Sequence, residues 1–290
     1  MNGNVTHSVV LANYNGARHL AEAINSVVEQ DADLELILVD DHSTDDSLAI
    51  MRDLESSSPG RIRVSEHSKN MGQGAGFNTG CALARGQFVS FIDSDDVWMP
   101  GKLNHVEEAF ARMPHAALHQ HNLDILRVDQ PTTNQVVDLM VLGDIAARWR
   151  RTRSAPEHLP RFAPTSGLSL PKHVLSKLMP CPDVRICADM WLTFGALAFG
   201  PISASHTSFA WYRVHDGNNY FGGSMDIWRF LSDELLPEMK DRWELHGYTD
   251  VLPPLLLRPK APIRAGVGDR ILDVSLRKVF ARFGLLPRVE

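Results

Sequence analysis

The chain has 290 residues, 44% hydrophobic and 22% charged, with a net charge of −6. That length and balance suit one large domain, or one domain with a helical appendage, able to bury a substantial core. The acidic surplus argues against a non-specific nucleic-acid binder, and three cysteines without a CxxC pair argue against a disulfide framework.

Met1 to His7 is polar and is followed by only a short apolar run, so no signal-peptide pattern is expected. No window approaches the roughly 18 apolar residues of a membrane span. A cytoplasmic protein is therefore expected, with peripheral contact to the inner face of a membrane left open. Ser8 to Ala12 reads as a buried strand and is followed by a helix with Leu20, Ile24, Val27 and Val28 on one face. Leu34 to Val39 reads as a second strand, Arg61 to Glu66 as a third, residues 72–85 as a helix, and Gln87 to Ile92 as a fourth strand. This alternation of strand and helix predicts a mostly parallel α/β sheet flanked by helices.

Farther on, residues 102–112 read as helix, Ala116 to Val128 as strand, 143–151 as helix, Thr165 to Leu170 as a short strand, 187–199 as helix and Ile202 to Val214 as strand. Ile227 to Trp243 and Arg270 to Phe283 read as helices of a C-terminal appendage. The expected organisation is a domain over 1–220, split into halves at residue 100, with a helical extension over 221–290. The apolar stripe of Arg270 to Phe283, with Arg277, Lys278 and Arg282 beside it, suits packing against the chain itself or a partner, with an anionic membrane surface as the alternative.

In open α/β sheets, ligands bind beyond the carboxyl ends of the strands. Strand one ends in Asn13-Tyr14-Asn15, strand two in Asp40-Asp41-His42-Ser43, and strand four in Asp93-Ser94-Asp95-Asp96. In extended backbone, residues two apart point to the same side, so Asp93 and Asp95 can face one cation. Oxygen ligands suit Mg²⁺ or Mn²⁺, with diphosphate oxygens completing the shell. The bland alternative is a solvated acidic turn. Asp41 can accept hydrogen bonds from a nucleotide base or ribose, or simply cap the next helix. Tyr14 can stack on a base, or pack. Gly72, Gly74, Gly76 and Gly80 fit neither G-x-G-x-x-G nor a P-loop and read as packing positions. His119 and His121 share a strand face without zinc-ligand spacing.

Taken in order, these stretches resemble the inverting glycosyltransferases of family 2, with the GT-A fold. The resemblance rests on Val9 to Gly16, Leu38 to Asp45, Asn78-Thr79-Gly80, Phe88 to Asp96, Cys187 to Leu192 and Tyr212-Arg213-Val214-His215. It implies a Rossmann-like nucleotide-binding half and a catalytic half. It also implies donor contacts from Ala12, Tyr14, Asp41, Asp93 and Ser94, a metal held by Asp95 and His215, and Asp189 as catalytic base. Mn²⁺ or Mg²⁺ is the implied cofactor. A nucleotide sugar, such as a UDP-sugar, is the implied donor, and a saccharide or lipid-linked hydroxyl the implied acceptor. Two positions depart from the family pattern. Ala12 stands where Pro is usual and Phe77 where Arg is usual, with Lys69 or Arg85 as candidate substitutes for the missing cation. The competing readings are a non-catalytic nucleotide-sugar-binding scaffold and a transferase using a polyprenyl-phosphate sugar.

Overall fold

The computed structural model describes residues 5–127, 130–135, 162–185, 188–215 and 234–249. Its first hundred residues form the expected alternation. Strands β1 (His7–Asn13), β2 (Leu34–Asp40), β3 (Ile62–Glu66) and β4 (Phe88–Asp93) are separated by helices α1 (Ala17–Val28), α2 (Ser47–Ser57) and α3 (Gln73–Leu83). β1 and β2 read HSVVLAN and LELILVD, and nearly every residue in both is buried. Such continuous apolar runs are what a parallel strand covered on both faces requires. α1 buries Leu20, Ala23, Ile24 and Val27, the stripe of a helix laid against a sheet.

The later strands are β5 (Val97–Trp98), β6 (Leu118–Arg127), β7 (Gln130–Gln135), β8 (Leu168–Pro171) and β9 (Ile202–Val214); among the described residues the nine strands form one sheet in the order β3-β2-β1-β4-β8-β6-β9-β5, with β7 paired to β6. β3, β2, β1 and β4 are parallel throughout. At β4 the direction changes: β8 (Leu168–Pro171) pairs antiparallel with both β4 and β6 (Leu118–Arg127). β9 (Ile202–Val214) then runs parallel to β6, and the two-residue β5 (Val97–Trp98) caps the far edge. The sheet is thus mixed: four adjacent parallel strands from the first half, and a second parallel pair, β6 and β9, joined to them through the antiparallel β8.

The later helices are α4 (Lys102–Arg112), α5 (Lys172–Leu178), α6 (Ala188–Ala196) and α7 (Leu236–Leu245). The strand expected at 165–170 is a 3-10 turn, Thr165–Gly167, leading into β8. Its backbone is bent because the Ser166 carbonyl accepts hydrogen bonds from Lys102 Nζ and Trp98 Nε1. The helices expected at 143–151 and 270–283 lie outside the described residues, as does the first part of the one expected at 227–243. Among the described residues, no helix is long and apolar enough to cross a membrane.

Candidate functional site

The parallel register brings the carboxyl ends of β1, β2 and β4 to one rim: Asn13 pairs with Asp40, and Ala12 with Asp93. The first two loops are laced by side chains. Ser43 Oγ accepts from the Asn15 N–H at 2.9 Å, and Asn15 Oδ1 accepts from the Thr44 N–H at 2.7 Å. Asn15 and His42 both have positive φ, 54° and 64°, a region where Asn and His are enriched among non-glycine residues. Between these loops, Tyr14 is half exposed, its ring free to meet a ligand. Ala12 is partly buried and lies against α3.

Asp41 is buried and largely committed. Its Oδ1 accepts from His67 Nδ1 at 2.7 Å and from the Met71 N–H at 2.8 Å, and its Oδ2 accepts from the Gly72 N–H at 2.7 Å. A carboxylate has about four acceptor positions, so three are used holding the loop before α3.

The acidic loop after β4 separates its residues by environment. Asp96 is buried, accepting from Ser166 Oγ at 2.6 Å and from the Arg213 N–H at 2.9 Å. It anchors the loop. Asp93, Ser94 and Asp95 are partly exposed. Burial, then the charges of Asp96, Asp95 and Asp189, push the Asp93 carboxyl well above the ordinary carboxylate range. Burial and the Asp95 charge do the same to Asp96. Asp95 Oδ2 lies 3.0 Å from His215 Nε2 at the end of β9, and its carbonyl accepts from Arg213 Nε at 2.8 Å. Arg213 also pairs with Glu22 on α1. Across the rim, Asp189 occupies the first turn of α6, with Oδ1 accepting from the Met190 N–H. Burial pushes its carboxyl up to about 6, against the lowering by backbone N–H groups.

Three sequence inferences change here. Phe77 is 1% exposed and packs on Phe91 with ring centres 4.8 Å apart. That position therefore belongs to the core, not to the rim. Arg85 cannot replace a rim cation, because it is bound to Glu35 and Ser8 at the amino ends of β2 and β1, the opposite side of the sheet. Gln73 was not singled out from the sequence, yet its side chain touches both Asp93 and the backbone of α6. The glycines of α3 do act as packing positions: a Cβ on Gly76 would stand 2.7 Å from Ala12 Cβ.

The comparisons with known proteins agree with this geometry. The model of glycosyl transferase family 2 matches residues 8–137. A glycosyltransferase of Nostoc sp. is 36% identical over 222 residues, covering 75% of this chain and 67% of that protein. The poly(ribitol-phosphate) beta-N-acetylglucosaminyltransferase TarS of Staphylococcus aureus is 29% identical over 131 residues, which are 44% of this chain and 21% of TarS. This chain therefore spans only about a fifth of that relative. In three dimensions, TarS 1–349 in complex with UDP-GlcNAc superposes with a TM-score of 0.61 at 20% identity, over 95% of this chain and 73% of that one. A mannosyltransferase of Pyrobaculum calidifontis in complex with GDP-Man and Mn²⁺ gives 0.59 at 16% identity, over 99% and 77%. These two share the fold, the mixed α/β architecture of GT-A glycosyltransferases. The ordered rim residues, the matched family model and the well-covered Nostoc relative together make this chain a member of glycosyl transferase family 2.

Proposed function

We propose that the chain transfers a sugar from a nucleotide-sugar donor to an acceptor hydroxyl with inversion, in the assembly of a polysaccharide or other glycan. The observation that carries this reading is the bridge made by the Gln73 side chain between Asp93 on the rim, 3.4 Å away, and the Ala188 N–H at 3.0 Å, one residue before Asp189 on α6. Direct displacement needs one base and no covalent intermediate.

Tyr14 would stack on the nucleoside base. Asp41 would accept one further hydrogen bond at its remaining position, and Asp93 and Ser94, beside Ala12, would meet the ribose or diphosphate. The acceptor oxygen attacks the anomeric carbon and its proton passes to Asp189. The bond to the donor diphosphate breaks, and nucleoside diphosphate leaves with the electron pair.

Asp95 and His215 supply one oxygen and one nitrogen at a partly exposed position, a donor set that Mn²⁺ or Mg²⁺ accepts. Among the described residues, no three His, Cys, Asp or Glu side chains are arranged to hold an ion. Diphosphate oxygens and water would therefore complete the shell. A cation would also relieve the mutual repulsion of Asp93, Asp95 and Asp96. When bound, it would supply Lewis-acid stabilisation of the leaving group. Lipid-linked acceptors are suggested by a relative from Escherichia coli, a UDP-Glc:alpha-D-GlcNAc-diphosphoundecaprenol beta-1,3-glucosyltransferase, 32% identical over 97 residues. A UDP-sugar is the donor to test first, after the UDP-Glc of the Escherichia coli relative and the UDP-GlcNAc of the TarS structure, with a GDP-sugar beside it after the mannosyltransferase.

Calorimetric titration with nucleoside diphosphates and nucleotide sugars, in Mn²⁺ and then in EDTA, tests the proposal. One nucleotide is expected to bind in a metal-dependent way, and Asp95→Ala to lose that dependence. Absence of binding across the panel would overturn the nucleotide-sugar mechanism and favour a polyprenyl-phosphate donor or a scaffold.

A further inference from the structure

Gln73 opens α3 and reaches two places at once. Its Oε1 accepts from the Ala188 N–H at 3.0 Å, across 115 residues of sequence, and its Nε2 donates to Asp93 Oδ1 at 3.4 Å. The Ala188 N–H is a first-turn amide of α6, one of the donors a helix leaves without an internal partner. Being a donor only, it fixes which end of the Gln73 amide faces it and turns the NH₂ toward Asp93. The backbone reinforces this contact. The Gln73 N–H donates to Arg185 O at 3.1 Å and the Gly74 N–H to Val184 O at 2.9 Å. Such an approach requires glycine at 72: its φ is 91°, and a Cβ there would meet Arg185 Cα at 2.7 Å. The same Gly72 amide is held by Asp41 on its other side.

We infer that Gln73 is a positioning residue whose amide ties the helix carrying Asp189 to the donor-side carboxylate Asp93, fixing the distance between base and donor. The inference rests on the reading of Asp189 as the base. Asp189 is one residue beyond the amide that Gln73 caps, so a shift of that first turn moves the base directly. Loss of about 1 Å in such placement is enough to cost two orders of magnitude in rate. Glutamine is required by the charges it faces: one acceptor for the amide and one donor for the carboxylate. A glutamate would keep the first link and set a second negative charge against Asp93.

Amide hydrogen exchange on the full chain, comparing wild type with Gln73→Leu and Gln73→Glu, tests this without a donor. Gln73→Leu is expected to raise exchange over 184–190 by roughly ten-fold, the loss of one hydrogen bond. Gln73→Glu is expected to restore protection. With the donor identified by the nucleotide panel, Gln73→Glu should lower kcat by a larger factor than it raises KM for the donor. If Gln73→Leu unfolds the chain broadly, the Glu variant decides alone. Protection with lowered kcat supports the link, and protection with unchanged kcat overturns its catalytic role. Wild-type exchange in Gln73→Leu overturns the link itself. Full turnover by Asp189→Asn would instead sink the base assignment and leave the exchange result standing.

Discussion

As the proposed base, Asp189, whose carboxyl burial pushes up to about 6, would set the acid limb of the pH–rate profile. Asp189 must be ionised to take the acceptor proton, so turnover should hold above about pH 6 and fall roughly ten-fold per unit below it. Asp189→Asn should remove that limb and lower turnover by about 10²–10⁴-fold; a profile unchanged by the substitution would discard the role. Phe77 makes a second test at this scale. Being buried against Phe91, it should resist restoration of the family's usual charge. Phe77→Arg is expected to lower Tm markedly without improving nucleotide binding, because it buries an unpaired cation. The acidic loop and Tyr14 were legible in the sequence, since each follows a strand with a continuous apolar run, whereas His215 follows the mixed sequence of β9 and was singled out through the family resemblance. Gln73 was not. Its contacts come from the approach of Val184, Arg185 and Ala188, which no local pattern encodes.

At the scale of elements, α3 lies against β1 at close range. Gly76→Ala would drive a methyl to 2.7 Å from Ala12 Cβ, backed by a buried strand that cannot retreat. A cost of about 1–3 kcal/mol is expected, read as a lower urea midpoint at constant m; an unchanged midpoint would mean that the helix slides freely. The apolar runs of β1, β2 and β4 mark their own limits, whereas β9, exposed at intervals along its length, is marked by its β-branched and aromatic residues. β9 was read with its observed ends, and the four parallel strands fell within a residue or two of theirs. α5, seven residues long, and β5, two residues long, are too short to show a period. The 3-10 turn at Thr165–Gly167 was taken for strand because its apolar neighbours continue into β8, whereas its bend depends on Lys102 and Trp98 far away in sequence.

Over the whole molecule, the partly buried His105 and the buried His119 join α4, β6 and β9: His105 stacks on Phe209 at 4.2 Å and lies 5.1 Å from His119. Burial lowers all three of His105, His119 and His121, with His119 pushed down to about 3. The folded state keeps His119 neutral, while the unfolded chain binds its proton near pH 6.5. Its contribution to stability is therefore present above pH 6.5 and is lost progressively as the pH falls toward 3. Buried carboxyls such as Asp96 pull the other way, so a difference isolates the effect. The stability gap between wild type and His119→Gln should narrow by up to about 1.4 kcal/mol per pH unit below 6.5; a gap independent of pH would refute it. The reversal of strand direction between β4 and β8 has a consequence in time. β1 to β4 close among themselves within residues 7–93, whereas β8 pairs Pro171 with Phe88. A nascent chain growing at about 5–20 residues per second therefore completes β1 to β4 some ~5–20 s before Asp189 is synthesised, while the acidic loop still lacks its anchors Ser166 and Arg213. Through that interval β4 is an open edge of the young sheet, exposed to any strand that arrives before β8 does.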